Sequence, residues 1–230
     1  MLEQFLWGIF PYIVFTVFIG GHFVRYQYDQ LGWTAKSSEF LEKKELRIGS
    51  LLFHWGILIV MAGHVMGILI PASFYESIGI SEAIYHKMAI LFGIPAGIIS
   101  CIGLFILWKR RLFVKRIRVT SSKTDMLVLF LLTVVIMSGL SSTILNIDSN
   151  GFDYRLTIGP WFRSIFLLQA DPSYMADVPI WFKIHIVCAL FIFIVWPFTR
   201  LVHVFSIPFQ YLLRSYVIYR KRSSKQHLAK

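Results

Sequence analysis

Seven histidines stand in this chain: His22, His54, His64, His86, His185, His203 and His227. Four of them, His54, His64, His185 and His203, fall two by two inside or at the end of two long apolar stretches. An ionisable side chain there is expensive to keep and points to function. If His54 and His64 share one membrane-crossing helix and His185 and His203 share another of opposite direction, His54 meets His203 at one depth and His64 meets His185 at the other. One imidazole from each of two helices, facing across a flat macrocycle, is the ligand set of a bis-histidine b-type haem. The arrangement supplies two such sites, one above the other.

The spacing gives a partial fit. His185 and His203 are 18 residues apart, five turns at about 3.6 residues per turn, so they share a face. His54 and His64 are 10 residues apart, about 80° short of three turns. On straight helices the axial separations would be about 27 Å and about 15 Å. Tilt, imidazole reach and a kink at Pro197 would have to absorb the difference. Gly56, Gly63 and Gly67 on the first of these helices would let a flat macrocycle approach the backbone.

Other chemistries remain open for the same four residues. A zinc or copper site needs ligands clustered at one depth, usually with Cys, Asp or Glu beside them, and none of the four has an acidic neighbour within a helical turn. A proton-coupled transporter wants Asp or Glu in mid-span, whereas Asp125 stands at a span end. Each histidine alone could be a packing residue. That plainer reading is preferred for His22, at the end of the first span, and His227 reads as solvated in a basic tail.

The elements that must position these residues are membrane helices. Five apolar stretches reach the roughly 20 residues a bilayer crossing takes: Phe5–Val24, Ile48–Ile70, Lys87–Trp108, Asp125–Leu145 and Ile180–Val202. The first lacks the basic lead and small-residue cleavage site of a signal peptide. Hydrophobic residues make up 57% of the 230 and charged residues 15%. A soluble domain of this size could not bury so much apolar surface, and a disordered chain would not carry it. The two cysteines, Cys101 and Cys188, lie in apolar runs and support neither a disulfide framework nor an iron–sulfur cluster.

The net charge of +11 is a topology signal rather than a nucleic-acid footprint. Lys and Arg concentrate after the first span, between spans three and four, and in the C-terminal tail, while the opposite side holds only Lys87, Arg155, Arg163 and Lys183. Positive charge stays inside, so the N-terminus is expected outside and the C-terminus in the cytoplasm. The fold class is all-α, an integral membrane bundle of five helices over residues 1–208, followed by a cytoplasmic basic tail, 209–230. The long outer segment, about Asn146 to Pro179, is expected to hold a short interfacial helix.

Several stretches together resemble one family. They are Arg25-Tyr26-x-Tyr28 with Trp33-x-Ala35-x-Ser37-Ser38; Leu52-Phe53-His54-x-Gly56-Ile57-Leu58 running to Gly63-His64-x-x-Gly67 and Pro71; and Lys87-Met88-Ala89. Lys109-Arg110-Arg111-Leu112-Phe113 follows, with Arg116-x-Arg118-x-Thr120 and Asp125, then His185-x-Val187 and Pro197-Phe198-x-Arg200-Leu201-x-His203 with Pro208. In order and spacing, over nearly the whole chain, these resemble the gamma subunit of membrane-bound respiratory nitrate reductase, a di-haem cytochrome b.

The resemblance implies two haem b groups: an inner one on His54 and His203, and an outer one on His64 and His185. It implies oxidation of a membrane quinol (menaquinol or ubiquinol) near the outer haem, with protons released outside. Electrons would pass inward to an iron–sulfur beta subunit and a molybdenum-containing alpha subunit, where nitrate becomes nitrite. The location implied is the bacterial cytoplasmic membrane. The quinol site would involve Gly63 and His64 with the start of span three. There the family's common pattern has a lysine where this chain has Tyr85, so His86 or Lys87 could take the hydrogen bond to the quinol oxygen. In the plainer reading Lys87 snorkels to the interface and His86 caps the helix. Arg110 or Arg111 could pair with an inner-haem propionate, Ser37 and Ser38 could line the inner interface, and Tyr211, Tyr216 and Tyr219 in the tail could dock under the beta subunit. Related readings are a di-haem anchor for a different reductase, a stand-alone transmembrane haem oxidoreductase, and a haem-free transporter or anchor.

Overall fold

The computed structural model describes residues 1–29, 32–33, 38–148 and 152–205. The expected places of Ser37, His227 and the tail tyrosines lie outside these residues. Among the described residues all regular structure is helical. Five helices are long and apolar enough to cross a membrane: Leu2–Tyr28, Lys44–Leu69, Glu82–Phe113, Lys123–Leu145 and Ile180–Phe198. These are spans one to five below. Each overlaps its expected stretch, and the third extends well beyond it at both ends.

Packing runs in an arc. Span two lies along span three, span three against four, span four against five, and span five against one. The two histidine-bearing helices, two and five, therefore share no extensive interface and face each other across the interior.

Small residues set the closest contact, as in membrane helix pairs that lack a water-driven hydrophobic force. Gly56 of span two lies against the backbone of span three, where an added Cβ would stand 2.7 Å from the Ser100 nitrogen and 2.8 Å from the Ala96 carbonyl oxygen. Gly103 of span three mirrors it against Gly49 and Phe53. Ser100, fully buried, turns its hydroxyl back to the Ala96 carbonyl at 2.8 Å. This corrects two of the three glycines expected to cradle a macrocycle. Gly56 is spent on helix packing, and Gly67 on Tyr154 and Tyr85. A Cβ on Gly63 would meet nothing within 4 Å. Gly56→Val should wedge spans two and three apart by backbone contacts that no rotamer change relieves. The expected cost is at least the roughly 1–3 kcal/mol of ordinary overpacking, measured as a lowered midpoint of thermal unfolding in detergent.

Two prolines account for the irregular ends. Pro11 has no N–H for the carbonyl four residues earlier. The chain makes a π-turn over Phe5–Ile9, and the Trp7 carbonyl takes its hydrogen bond from the Trp161 indole at 2.8 Å. Trp161 belongs to the short helix Ile158–Phe166, the one expected in the long outer segment. Its apolar side, Ile158, Trp161 and Ile165, packs into protein with Trp7, Met175 and Val178. The helix is thus a cap on one end of the bundle, and Leu167 and Leu168 beyond it are exposed.

Pro197 does more. Span five was expected as one helix through Val202. Its α-helix ends at Val195, a short 3₁₀ turn covers Trp196–Phe198, Thr199 is extended, and a second 3₁₀ turn covers Arg200–Phe205. His203 is therefore off the helix that carries His185. The five-turn spacing does not describe the pair.

Candidate functional site

Two imidazole pairs face each other across the gap between spans two and five. The ring centres of His64 and His185 are 5.9 Å apart, with planes at 42°. Those of His54 and His203 are 6.2 Å apart, with planes at 72°. The pairing by depth read from the sequence is the pairing found.

The tautomers follow from the partners. His64 Nδ1 lies 2.8 Å from the Val60 carbonyl oxygen and His54 Nδ1 lies 2.7 Å from that of Ser50. His203 Nδ1 lies 2.6 Å from the Arg200 carbonyl oxygen. His185 Nδ1 lies 3.1 Å from the Val135 carbonyl oxygen and 3.1 Å from the Ser138 hydroxyl. A carbonyl can only accept, so each Nδ1 carries the proton and donates it. Each Nε2 then keeps its lone pair. This is the usual support for a metal-binding imidazole, with one ring nitrogen fixed by the protein and the other free to ligate. Gly139 makes room for the His185 ring, since a Cβ there would stand 2.8 Å from its Cε1.

Such a pair can bind one metal ion from opposite sides. With metal–imidazole bonds of roughly 2 Å, the ring centres of two trans imidazoles stand about 6 Å apart, the separation seen in both pairs. Among the described residues no three His, Cys, Asp or Glu side chains cluster as a metal site.

The surroundings of the two pairs differ. Beside His54 a groove of about 400 Å³ is lined by Lys43, Arg47, Ser50, His54, Trp55 and Leu58 among others. This is the basic end of the bundle. At the far end, span two closes in a π-turn over Val65–Leu69 directly after His64. The carbonyls it turns outward are taken up by Tyr75, whose hydroxyl donates to Met66 at 2.9 Å, and by Arg163, which donates to Ile68 at 2.6 Å. The cap helix thus holds the backbone that presents His64.

The remaining expected site residues divide. His86 Nε2 lies 3.0 Å from the Ile147 carbonyl oxygen, and His86 borders a small crevice with Tyr85, Tyr154 and Arg155. Lys87 is exposed. The side chain at the start of span three that faces span two is Tyr85, which meets Gly67 and carries the Arg155 guanidinium 4.3 Å above its ring. Arg110 is 3% exposed and is bound elsewhere. Its Nε donates to Glu42 at 2.7 Å, its Nη1 to the Ser38 hydroxyl, and its Nη2 to the carbonyls of Ser38 and Glu42. It clamps the turn before span two, with four of its five N–H donors used on protein, which corrects its reading as a propionate partner. Arg111 Nη1 lies 3.1 Å from Asp125 Oδ2 without a well-aligned hydrogen bond. His22 is packed, with Phe18, Trp33 and Phe205 around its ring.

The Arg110 clamp sets a pH dependence. Burial pushes the Glu42 carboxyl up, but the backbone N–H groups of Glu45 and Leu46 with Arg110 outweigh it and hold it below the usual carboxylate range. A carboxylate depressed in the folded state contributes stability that is complete above its unfolded pKa and is lost as pH falls through the folded value. Wild type should therefore melt above Glu42→Gln at neutral pH, and the difference should vanish in acid below the folded pKa.

The fold and site define a class: a bundle of membrane-length helices built around two stacked pairs of facing, Nδ1-anchored histidines. The family model for the nitrate reductase gamma subunit matches residues 3–222. The nitrate reductase gamma chain of Bacillus subtilis is 66% identical over 97% of this chain and 100% of its own. The respiratory nitrate reductase 1 gamma chain of Escherichia coli is 35% identical over 96% of this chain and 98% of its own. A nitrate reductase-like protein NarX of Mycobacterium tuberculosis is 39% identical over 96% of this chain, which spans 34% of that protein. The chain belongs to the nitrate reductase gamma subunit family.

Proposed function

We propose that this chain is the quinol-oxidising, di-haem b subunit of a bacterial nitrate reductase, set in the cytoplasmic membrane with its basic end toward the cytoplasm. The observation that carries the reading is the two imidazole pairs at 5.9 Å and 6.2 Å, each ring with Nδ1 bound to a carbonyl and Nε2 left to ligate. Bound haem supplies the one-electron chemistry and the path for electrons between the two ends of the bundle.

The chain's residues do the rest. His64 and His185 hold the group at the far end, and His54 and His203 hold the one at the basic end. Gly63, next to His64, leaves open space that suits a quinol headgroup, with His86 or Lys87 as the polar partner able to take its proton toward the outer side. At the basic end Lys43 and Arg47 line the groove beside His54. Among the described residues these two are cations placed to meet haem carboxylates there, Arg110 being committed to its clamp and Arg111 to Asp125. The iron–sulfur beta subunit docks on this basic face and passes electrons to the molybdenum-containing alpha subunit. All nitrate chemistry lies in that partner.

The test is a spectrum taken in membranes that carry the whole complex. A quinol should reduce b-type absorbance and nitrate should reoxidise it. A complex that reduces nitrate from an artificial donor, yet has neither b-type absorbance nor a quinol-dependent rate, would overturn the reading.

A further inference from the structure

His203 is the one histidine of the four that no continuous helix presents. It follows the Pro197 break, on a 3₁₀ turn that does not continue the α-helix of span five and to which span five reaches with the Trp196 indole, donating to the Leu201 carbonyl at 2.9 Å. We propose that Arg25 of span one and Asp125 of span four are positioning residues that hold this detached segment, and so keep His203 in place as an axial ligand; the inference rests on the ligand role given to His203 above.

The contacts come from two sides. Arg25 Nη1 donates to the Pro197 carbonyl at 2.6 Å and to that of Thr199 at 2.9 Å. The Pro197 carbonyl lies at the break, where the chain leaves the helical path. Gly21, one turn earlier on span one, lets the helix come close enough, since a Cβ there would stand 2.9 Å from the Pro197 ring. From the other side Asp125, with a side chain 2% exposed, accepts from Arg200 Nη2 at 2.7 Å and pairs with Arg200 Nε. The carbonyl of that same Arg200 receives the His203 Nδ1–H at 2.6 Å. Asp125 therefore reaches the ligand through one residue and its backbone. It also caps span four in a reciprocal box with Ser122, so its structural and positioning roles must be separated.

The experiment uses the assembled complex and low-temperature EPR of the two low-spin haem signals, with Asp125→Ala, Arg25→Ala, Asp125→Glu, Ser122→Ala and His203→Ala. The expected result is that Asp125→Ala and Arg25→Ala each convert one low-spin signal to high-spin and leave the other intact. Added imidazole should restore the lost signal, and Asp125→Glu should retain it. Ser122→Ala, which removes the cap alone, should keep both. The unaffected signal reports that the protein is folded, and if either alanine variant fails to assemble the other decides. Both alanine variants keeping two unchanged low-spin signals, or Ser122→Ala losing the same signal as Asp125→Ala, would overturn the inference. The His203→Ala arm separates the two levels. If it too keeps both signals, the ligand reading has failed. If it loses one while Asp125→Ala and Arg25→Ala do not, only the positioning role has failed.

Discussion

Replacing His64 or His185 with alanine is expected to take bound haem from two per chain to one and to abolish quinol-dependent nitrate reduction. Each ring would hold one side of the haem proposed at the far end, and the two ring centres lie 5.9 Å apart. Removing either leaves one Nε2 facing an empty position, with no third His, Cys, Asp or Glu clustered nearby among the described residues. The change falls where the quinol is proposed to bind, so electron entry is lost with the ligand. Nitrate reduction from an artificial donor that feeds the partner subunits directly should persist, because nitrate chemistry is proposed to lie in those partners. Haem content, quinol-dependent rate and donor-dependent rate, measured on one preparation, check the three parts. Full quinol-dependent activity in either variant would contradict the assignment.

The companion result at the basic end has a different signature. His54→Ala or His203→Ala should also remove one haem, while the remaining b-type absorbance is still reduced by quinol. What disappears is its reoxidation by nitrate, since the break now lies between the quinol end and the partner subunits. Quinol reduction kept and nitrate reoxidation lost, by more than tenfold in rate, separates this end from the other. If the two sets of variants behaved alike, the order of the two sites along the electron path would be wrong.

Much of this was legible in the sequence because membrane segments announce themselves by length and because histidine is costly within them. Depth along antiparallel helices then paired His54 with His203 and His64 with His185 without any contact information. What periodicity cannot show is which face a small residue serves. Gly56 and Gly63 are both glycines on span two, yet one packs on the Ser100 backbone and the other opens on space.

Long side chains were equally opaque. Arg110 and Arg111 are adjacent, but helical geometry turns one onto Ser38 and Glu42 and the other toward Asp125. The Pro197 break was visible as a proline. Its consequence, His203 on a 3₁₀ turn with Arg25 bonded to the Pro197 and Thr199 carbonyls and Asp125 bonded to Arg200, depends on residues from three separate spans. Tyr85 was marked only as a departure from a family pattern. Its place against Gly67 and beneath Arg155 follows from the loop after span four, whose path composition does not dictate.

The most direct test of the central claim is the amount of haem b per purified chain, by pyridine haemochrome against protein mass. Two facing pairs with free Nε2 atoms call for a ratio near two in folded, haem-replete protein. A ratio near zero in such material would contradict the account, and the four histidines would then have to be explained by packing alone.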